Sequence, residues 1–297
     1  MTTLRKNTGV TGLHQADQTL MFDIAGLAVA IHIHDPELAG RLRGRYHQFL
    51  NPQATPILEI AVTARQGEPF IQPVPGDWVI ETQFENDRLE YTSYLERGWV
   101  DIEQGVGEME VIAPGDGENF FRVVYAWLCL RHNALLLHAS GLIRDGFGYA
   151  FFGHSGSGKT TTTRLSEQVA TILSDDLVIL RCHDGNCRLY GVPFRGEFGE
   201  APRANQNAPA RGIFRLRQDG THRVQPLPPS LAVAELSASA PFVNNKAALI
   251  PQLLDVCQQI VNATQVHALH FKKDAKFWET IDEYFESLPQ TTSSDSR

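Results

Sequence analysis

The stretch Tyr149–Thr163, Y-A-F-F-G-H-S-G-S-G-K-T-T-T-T, decides how the rest of the chain is read. An aromatic, apolar run ends at Gly153, four residues follow, and Gly158, Lys159 and Thr160 complete the pattern G-x-x-x-x-G-K-T. That spacing predicts a strand, a tight loop and a helix, with backbone N–H groups turned inward at the positive end of the helix. Glycines at 153, 156 and 158 permit the close turns such a loop needs. The expectation is a phosphate-binding loop for a nucleotide, formed by Gly153, His154, Ser155, Gly156, Ser157, Gly158, Lys159, Thr160 and Thr161. Lys159 would meet the terminal phosphates as a point charge, and the Thr160 hydroxyl would be a magnesium ligand.

Downstream, the helix is expected to end near Val169 and a strand to run over Ala170–Leu173, leading into Ser174, Asp175 and Asp176. If the helix crosses between parallel strands, both aspartates return to the edge of the sheet that carries the loop. One carboxylate there can hold magnesium, and the other can accept a proton from an attacking hydroxyl. Upstream, Ala134–Ile143 and Phe147–Phe152 read as a strand pair around Arg144-Asp145-Gly146, and Phe120–Arg131 as a helix apolar on most sides.

The N-terminal part has a different texture. Thr19–Ile24 and Leu27–Ile33 read as a hairpin, and Asp35-Pro36 opens a helix with Leu38, Leu42, Tyr46 and Phe49 on one face. From Ile57 to Ile112 the apolar period is two, which predicts short strands divided by turn residues such as Asn86-Asp87. Breakers cluster at Pro114–Gly117, so the expected division is a β-rich domain over 1–114, a second domain over 118–288 and a disordered tail over 289–297. After the second acidic motif, Gly212–Arg217 and Thr221–Leu227 read as a further hairpin. Helices are expected at Leu231–Leu236 and Leu253–Val261, then a strand over Val266–Phe271 and a last helix from Asp274.

A chain of 297 residues with 42% hydrophobic content can bury a sizeable core. Its net charge of -8 and the absence of a basic cluster argue against nucleic-acid or anionic-membrane partners. No apolar run is long enough to span a bilayer, which with the polar start predicts a cytoplasmic protein. The four cysteines, at 129, 182, 187 and 257, are too few for a disulfide framework. Cys182, His183 and Cys187 are expected as reduced thiols and a surface histidine on a hairpin, since a fourth ligand at zinc spacing is missing. His32 and His34 are expected to be ordinary surface residues.

The order H-A-S (His138–Ser140), a strand, G-H-S-G-S-G-K-T, one helix and L-S-D-D (Leu173–Asp176) resembles the catalytic domain of HPr kinase/phosphorylase. The loop also resembles the kinase motif of ATP-dependent phosphoenolpyruvate carboxykinases. The resemblance covers about Leu135–Leu227. It implies an α/β fold: a P-loop kinase domain of the HPr kinase/phosphoenolpyruvate carboxykinase type, preceded by a smaller β-rich α+β domain. It further implies His138, Asp175, Asp176 and Arg195 in the active site, ATP and magnesium as cofactors, and a serine or other hydroxyl of a peptide or small protein as acceptor. Arg195-Gly196 stands in the place of that family's E-I-R-G-x-G signature, but Pro193 replaces its glutamate, so Glu197 is the substitute carboxylate beside magnesium, with Thr160 and Asp175. Arg203 and Arg211 bracket an irregular segment and are candidate arginine fingers. The β-rich domain is expected to bind the acceptor or mediate assembly, homo-oligomers included. A kinase of a free metabolite such as serine, or a nucleotide-binding regulatory module that transfers nothing, are the alternatives.

Overall fold

The computed structural model describes residues 18–74, 79–194 and 203–289. Strands β1 (Gln18–Ile24) and β2 (Leu27–Ile33) form the expected hairpin, with Ala25 and Gly26 both at positive φ in its turn. Helix α1 (Pro36–Tyr46) starts where the Asp35 side chain accepts from the Leu38 N–H at 2.7 Å, and it buries Leu38, Leu42 and Tyr46. It is a crossover, because β3 (Leu58–Arg65) pairs parallel with β2. Strands β4 (Ile80–Glu85), β5 (Arg88–Ser93), β6 (Glu96–Asp101) and β7 (Val106–Ile112) then run as an antiparallel meander. It docks back so that β7 lies parallel to β3, giving the seven-stranded order β1-β2-β3-β7-β6-β5-β4.

Helix α2 (Glu118–Arg131) follows, and from Val123 to Leu130 none of its residues is more than 1% exposed. A helix apolar on all sides must be covered on all sides. The first sheet covers one side through β6, and the other is covered by β8 (Ala134–Arg144), the first strand of a second sheet. That sheet continues with β9 (Phe147–Phe152), helix α3 (Lys159–Ser166), β10 (Thr171–Ser174), β11 (Leu177–His183), β12 (Asn186–Tyr190), β13 (Asn207–Gln218) and β14 (Arg223–Pro226). Helices α4 (Pro229–Ala238) and α5 (Ile250–Ala263), strand β15 (Val266–Phe271) and helix α6 (Phe277–Ser287) complete the described chain. The fold is mixed α/β on two sheets.

Two long strands are each shared between pairings. β8 binds β11 along Ala134–His138, then β9 on one side and β10 on the other along Ala139–Arg144. β13 binds β12 antiparallel at its start and lies parallel between β9 and β15 further on. The hairpin expected between Gly212–Arg217 and Thr221–Leu227 does not form: β15 inserts between them and takes β14 as its antiparallel neighbour. The segment expected to be irregular up to Ala210 is already strand from Asn207. Cys182 and Cys187 stand opposite each other across the β11–β12 hairpin and are joined as a disulfide, not held as the reduced thiols expected.

One apolar cluster runs through residues of both sheets and α2, so the breakers at Pro114–Gly117 mark a change of sheet within a shared core. The Tyr125 hydroxyl donates to the Leu27 carbonyl at 3.1 Å, and Lys246 Nζ donates to the Thr82 carbonyl at 3.1 Å, tying the two parts together. A second, smaller cluster lies between β9, β13, β15 and α6. No described helix is long and apolar enough to cross a membrane.

His267 sits in β15 with its ring stacked on Phe214 and edge-on to Tyr284, and neither ring nitrogen has a hydrogen-bond partner among the described residues. Burial pushes its pKa down to about 4. The folded state therefore binds this proton more weakly than the unfolded chain, whose histidine titrates near ~6.5. The stability is fully present above that value and is lost as pH falls through the folded value. In urea titrations between pH 7 and 4, His267→Leu should flatten the acid-side loss by up to about 3 kcal/mol. Identical pH profiles for the two proteins would contradict this assignment.

Candidate functional site

Tyr149, Ala150, Phe151 and Phe152 are buried on both faces of β9, which fixes where the glycine-rich loop begins. Gly158 occupies the cap position of α3 at φ 117°, and a Cβ there would strike the Phe271 ring. Only glycine satisfies both constraints. The loop is held from two directions: Lys159 Nζ donates to the Gly153 carbonyl at 3.0 Å, and Gln218 Nε2 on β13 donates to the Gly156 carbonyl at 2.6 Å. The threonine run secures the helix behind it, since the Thr162 and Thr163 hydroxyls donate to the Lys159 carbonyl at 2.7 and 3.1 Å. Ser166 Oγ accepts from the Trp278 indole at 2.9 Å, which anchors α3 to α6.

The aspartates arrive by a break in a strand. β9 and β10 are both antiparallel to the β8 strand between them, so they point the same way, and α3 returns the chain to the loop's edge as expected. After β10 the chain leaves β8 for two residues, Asp175 and Asp176, and rejoins it as β11 at Leu177 opposite His138. Ser174 Oγ accepts from the N–H groups of Asp176 and Leu177, both at 3.3 Å, and so holds the break open. Asp175 is 5% exposed, and Asp176 Oδ1 lies 3.0 Å from His138 Nε2. A cavity of about 290 Å³ joins these groups to Ser155, Gly156, Gly158, Lys159, Thr160 and Thr161.

That cavity has a further wall that sequence reading passed over, Lys273, from the turn between β15 and α6. Its neighbour Lys272 lies 3.8 Å from Asp274, which also binds His222 at 2.8 Å. Only the strand pairing could have found it: β15 is parallel to β13 and β13 to β9, so Lys273 follows the carboxyl end of a strand that ends beside the loop.

Of the other candidates, Arg195, Gly196 and Glu197 lie outside the described residues. Arg203 donates to the Pro193 carbonyl at 3.0 Å. Arg211 does not face the loop; its guanidinium lies 4.9 and 4.8 Å from the ring centres of Phe147 and Phe285. His32 is not a loose surface group, since Nε2 binds Glu59 at 2.9 Å.

The residues present suit a nucleotide polyphosphate. Gly153, Gly156 and Gly158 hold positive φ, and Ser155, Gly156, Gly158 and Lys159 of the loop line the cavity. Asp175, Asp176 and Thr160 line the same cavity. No group of three or more His, Cys, Asp or Glu side chains gathers at one point among the described residues. This suits magnesium, which takes one or two carboxylates and fills its shell with water and phosphate oxygens.

No family model matches the sequence, and no curated protein matches it. Among solved structures, the Hpr(Ser) kinase/phosphatase from Coxiella burnetii is similar at 11% identity, over 51% of this chain and 96% of that one, with a TM-score of 0.29. At that score the likeness carries no argument, and the reading below rests on the residues themselves.

Gly158→Ala should therefore act twice, through a strained φ and through the Phe271 ring. A fall in thermal midpoint equivalent to about 1–3 kcal/mol is expected, together with loss of ATP binding by calorimetry. Wild-type binding in this variant would show that the loop geometry does not matter.

Proposed function

We propose that the chain is an ATP-dependent kinase that transfers the γ-phosphoryl group to a serine or other hydroxyl of a peptide or small protein. One observation carries this reading: a break in the strand paired to β8 sets Asp175 and Asp176 in the same cavity as Lys159, Thr160 and the glycine-rich loop. A loop alone would support nucleotide binding only. A carboxylate pair beside it supplies what transfer needs, a metal ligand and a proton acceptor. The order of H-A-S, loop and L-S-D-D motifs supports the same reading, through its resemblance to HPr kinase/phosphorylase.

In this mechanism the loop N–H groups and Lys159 align the triphosphate, with Lys273 adding a second positive charge from the opposite wall. Thr160 and Asp175 would hold magnesium, whose chemistry there is to spread the charge of the phosphates. Asp176, oriented by His138, takes the proton from the acceptor hydroxyl. The acceptor oxygen forms a bond to the γ-phosphorus, the bond to the β–γ bridging oxygen breaks, and ADP leaves. Little covalent chemistry falls to the protein; positioning and charge neutralisation do most of it. Among the described residues none before Pro114 lines this cavity, and we assign that part to acceptor binding.

Incubation with labelled ATP and candidate peptides tests the reading directly: label on a peptide hydroxyl supports it. Label on free serine alone, or ATP binding without any transfer, would replace it with one of the two alternatives. Lys159→Ala should weaken both ATP binding and turnover, because its attraction acts in ground and transition states alike. Asp175→Asn with Asp176→Asn should leave metal-free nucleotide binding intact or tighter and cut turnover by about 10²- to 10⁴-fold. Lys273→Ala is expected to lower turnover with a smaller effect on the thermal midpoint, since that side chain is exposed. Full phosphotransfer by the double Asn variant would place the active site elsewhere.

A further inference from the structure

A second cavity is more spacious than the one beside the loop. It measures about 790 Å³ and opens where the end of α2, the β11–β12 hairpin, the start of β13 and the end of α5 meet. Such a volume falls within the range of small-molecule sites. Arg131, Arg181 and Arg188 line it with His132 and His183, and none of its described lining residues is Asp or Glu. In a chain of net charge -8 this concentration of positive charge is local and costly.

The cost is visible in the strand register. Arg181 and Arg188 are direct partners across the antiparallel β11–β12 pair, and so share one face of it. Like charges placed directly opposite destabilise a sheet. The disulfide between the next pair, Cys182 and Cys187, holds that register in place. Neither arginine has a carboxylate partner among the described residues. Arg181 Nη1 donates to the Ala25 carbonyl at 2.6 Å, and Arg188 Nε donates to the Asn207 side chain at 2.7 Å. Each guanidinium is thus fixed by one arm and keeps further N–H donors. Arg131 has Asp87 at 2.6 Å, and His183 has Asp184 at 3.2 Å. His132 reports the field inside: burial, then Arg181 and Arg131, hold its pKa below the ordinary histidine value.

We propose that this cleft is a second ligand site, for a small polyanion carrying at least two phosphate or carboxylate groups, with Arg181 and Arg188 as the principal contacts. Paired, pre-oriented guanidinium groups match the geometry of both kinds of oxyanion. Tyr190 supplies one wall. The cleft is separate from the phosphate-loop cavity: Arg181 pairs with Ala134, and Leu177 with His138, so the two lie about 13 Å apart along β8 at ~3.3 Å per residue. The inference stands whether or not the chain is a kinase.

The test is calorimetric titration of the Lys159→Ala chain, in which the loop's own attraction for phosphate is weakened, with pyrophosphate and separately with citrate. Saturable binding of either is expected. Arg188→Gln should weaken it by about tenfold or more, with a thermal midpoint that is unchanged or raised, as relief of the opposed charges requires, serving as the control for folding. Binding of pyrophosphate alone would identify a phosphate ligand, and of citrate alone a polycarboxylate; both support the site. In NMR titrations the His132 pKa should rise when the anion binds, because the anion offsets the arginines around it. Absence of binding of both anions at millimolar concentration, or binding that Arg188→Gln leaves unchanged, would overturn the proposal.

Discussion

From Val123 to Leu130 every side chain of α2 is at most 1% exposed, so this helix has no polar face to offer water and both sheets must close on it. Its aromatic residues alone, each burying on the order of 150–250 Å², contribute roughly 4–6 kcal/mol apiece as an upper bound. Its N-terminal N–H groups are satisfied partly by the adjoining Asp116, which accepts from the Glu118 N–H at 3.2 Å, and partly from outside. Gly117 at the cap position has no side chain, and Glu96 on β6 accepts the Phe120 N–H at 3.3 Å instead. The Glu96 carboxyl also accepts from the Tyr91 hydroxyl at 2.9 Å, and burial raises its pKa. The buried start of the helix and strands β5 and β6 are thus joined through one carboxyl group.

Position at the candidate site follows from that packing. α2 leads directly into β8, and β8 is the strand against which β9, β10 and β11 are all registered. His138 stands where β8 changes partners, and Asp175 and Asp176 stand where the chain opposite it leaves and rejoins the ladder. Interrupting a ladder costs backbone hydrogen bonds, and Ser174 Oγ restores part of that loss by taking the two N–H groups that follow. The carboxylates are therefore placed by backbone pairing, which is stiffer than a free loop.

The chain's charge is divided to match. The cavity at the loop sets Lys159 and Lys273 against Asp175 and Asp176, while the distant cleft gathers three arginines with no Asp or Glu among its described lining residues. One cationic hollow on an acidic protein, set apart from a loop cavity in which lysines and aspartates balance, attracts anions locally without making the whole surface a polyanion binder.

Local patterns were readable in the chain alone. The hairpin at Ala25-Gly26, the Asp35 cap, the all-apolar α2, strands β8, β9 and β15, and the loop with its two aspartates depend on short-range sterics and periodicity, which neighbouring residues encode. Pairing between distant strands was not readable. Nothing local tells β7 to lie beside β3, or β15 to enter between β13 and β14, because those choices are settled by which apolar faces can be buried together. The same holds for Lys273, whereas the Cys182–Cys187 disulfide and the opposed Arg181 and Arg188 lie across the one short hairpin that the sequence suggested. Spacing along the chain identified the loop and the carboxylates because each lies within a few residues of its own strand. Only the folded sheet could decide which remote cations would meet them, since that depends on strand order and register, and these are collective properties of the core.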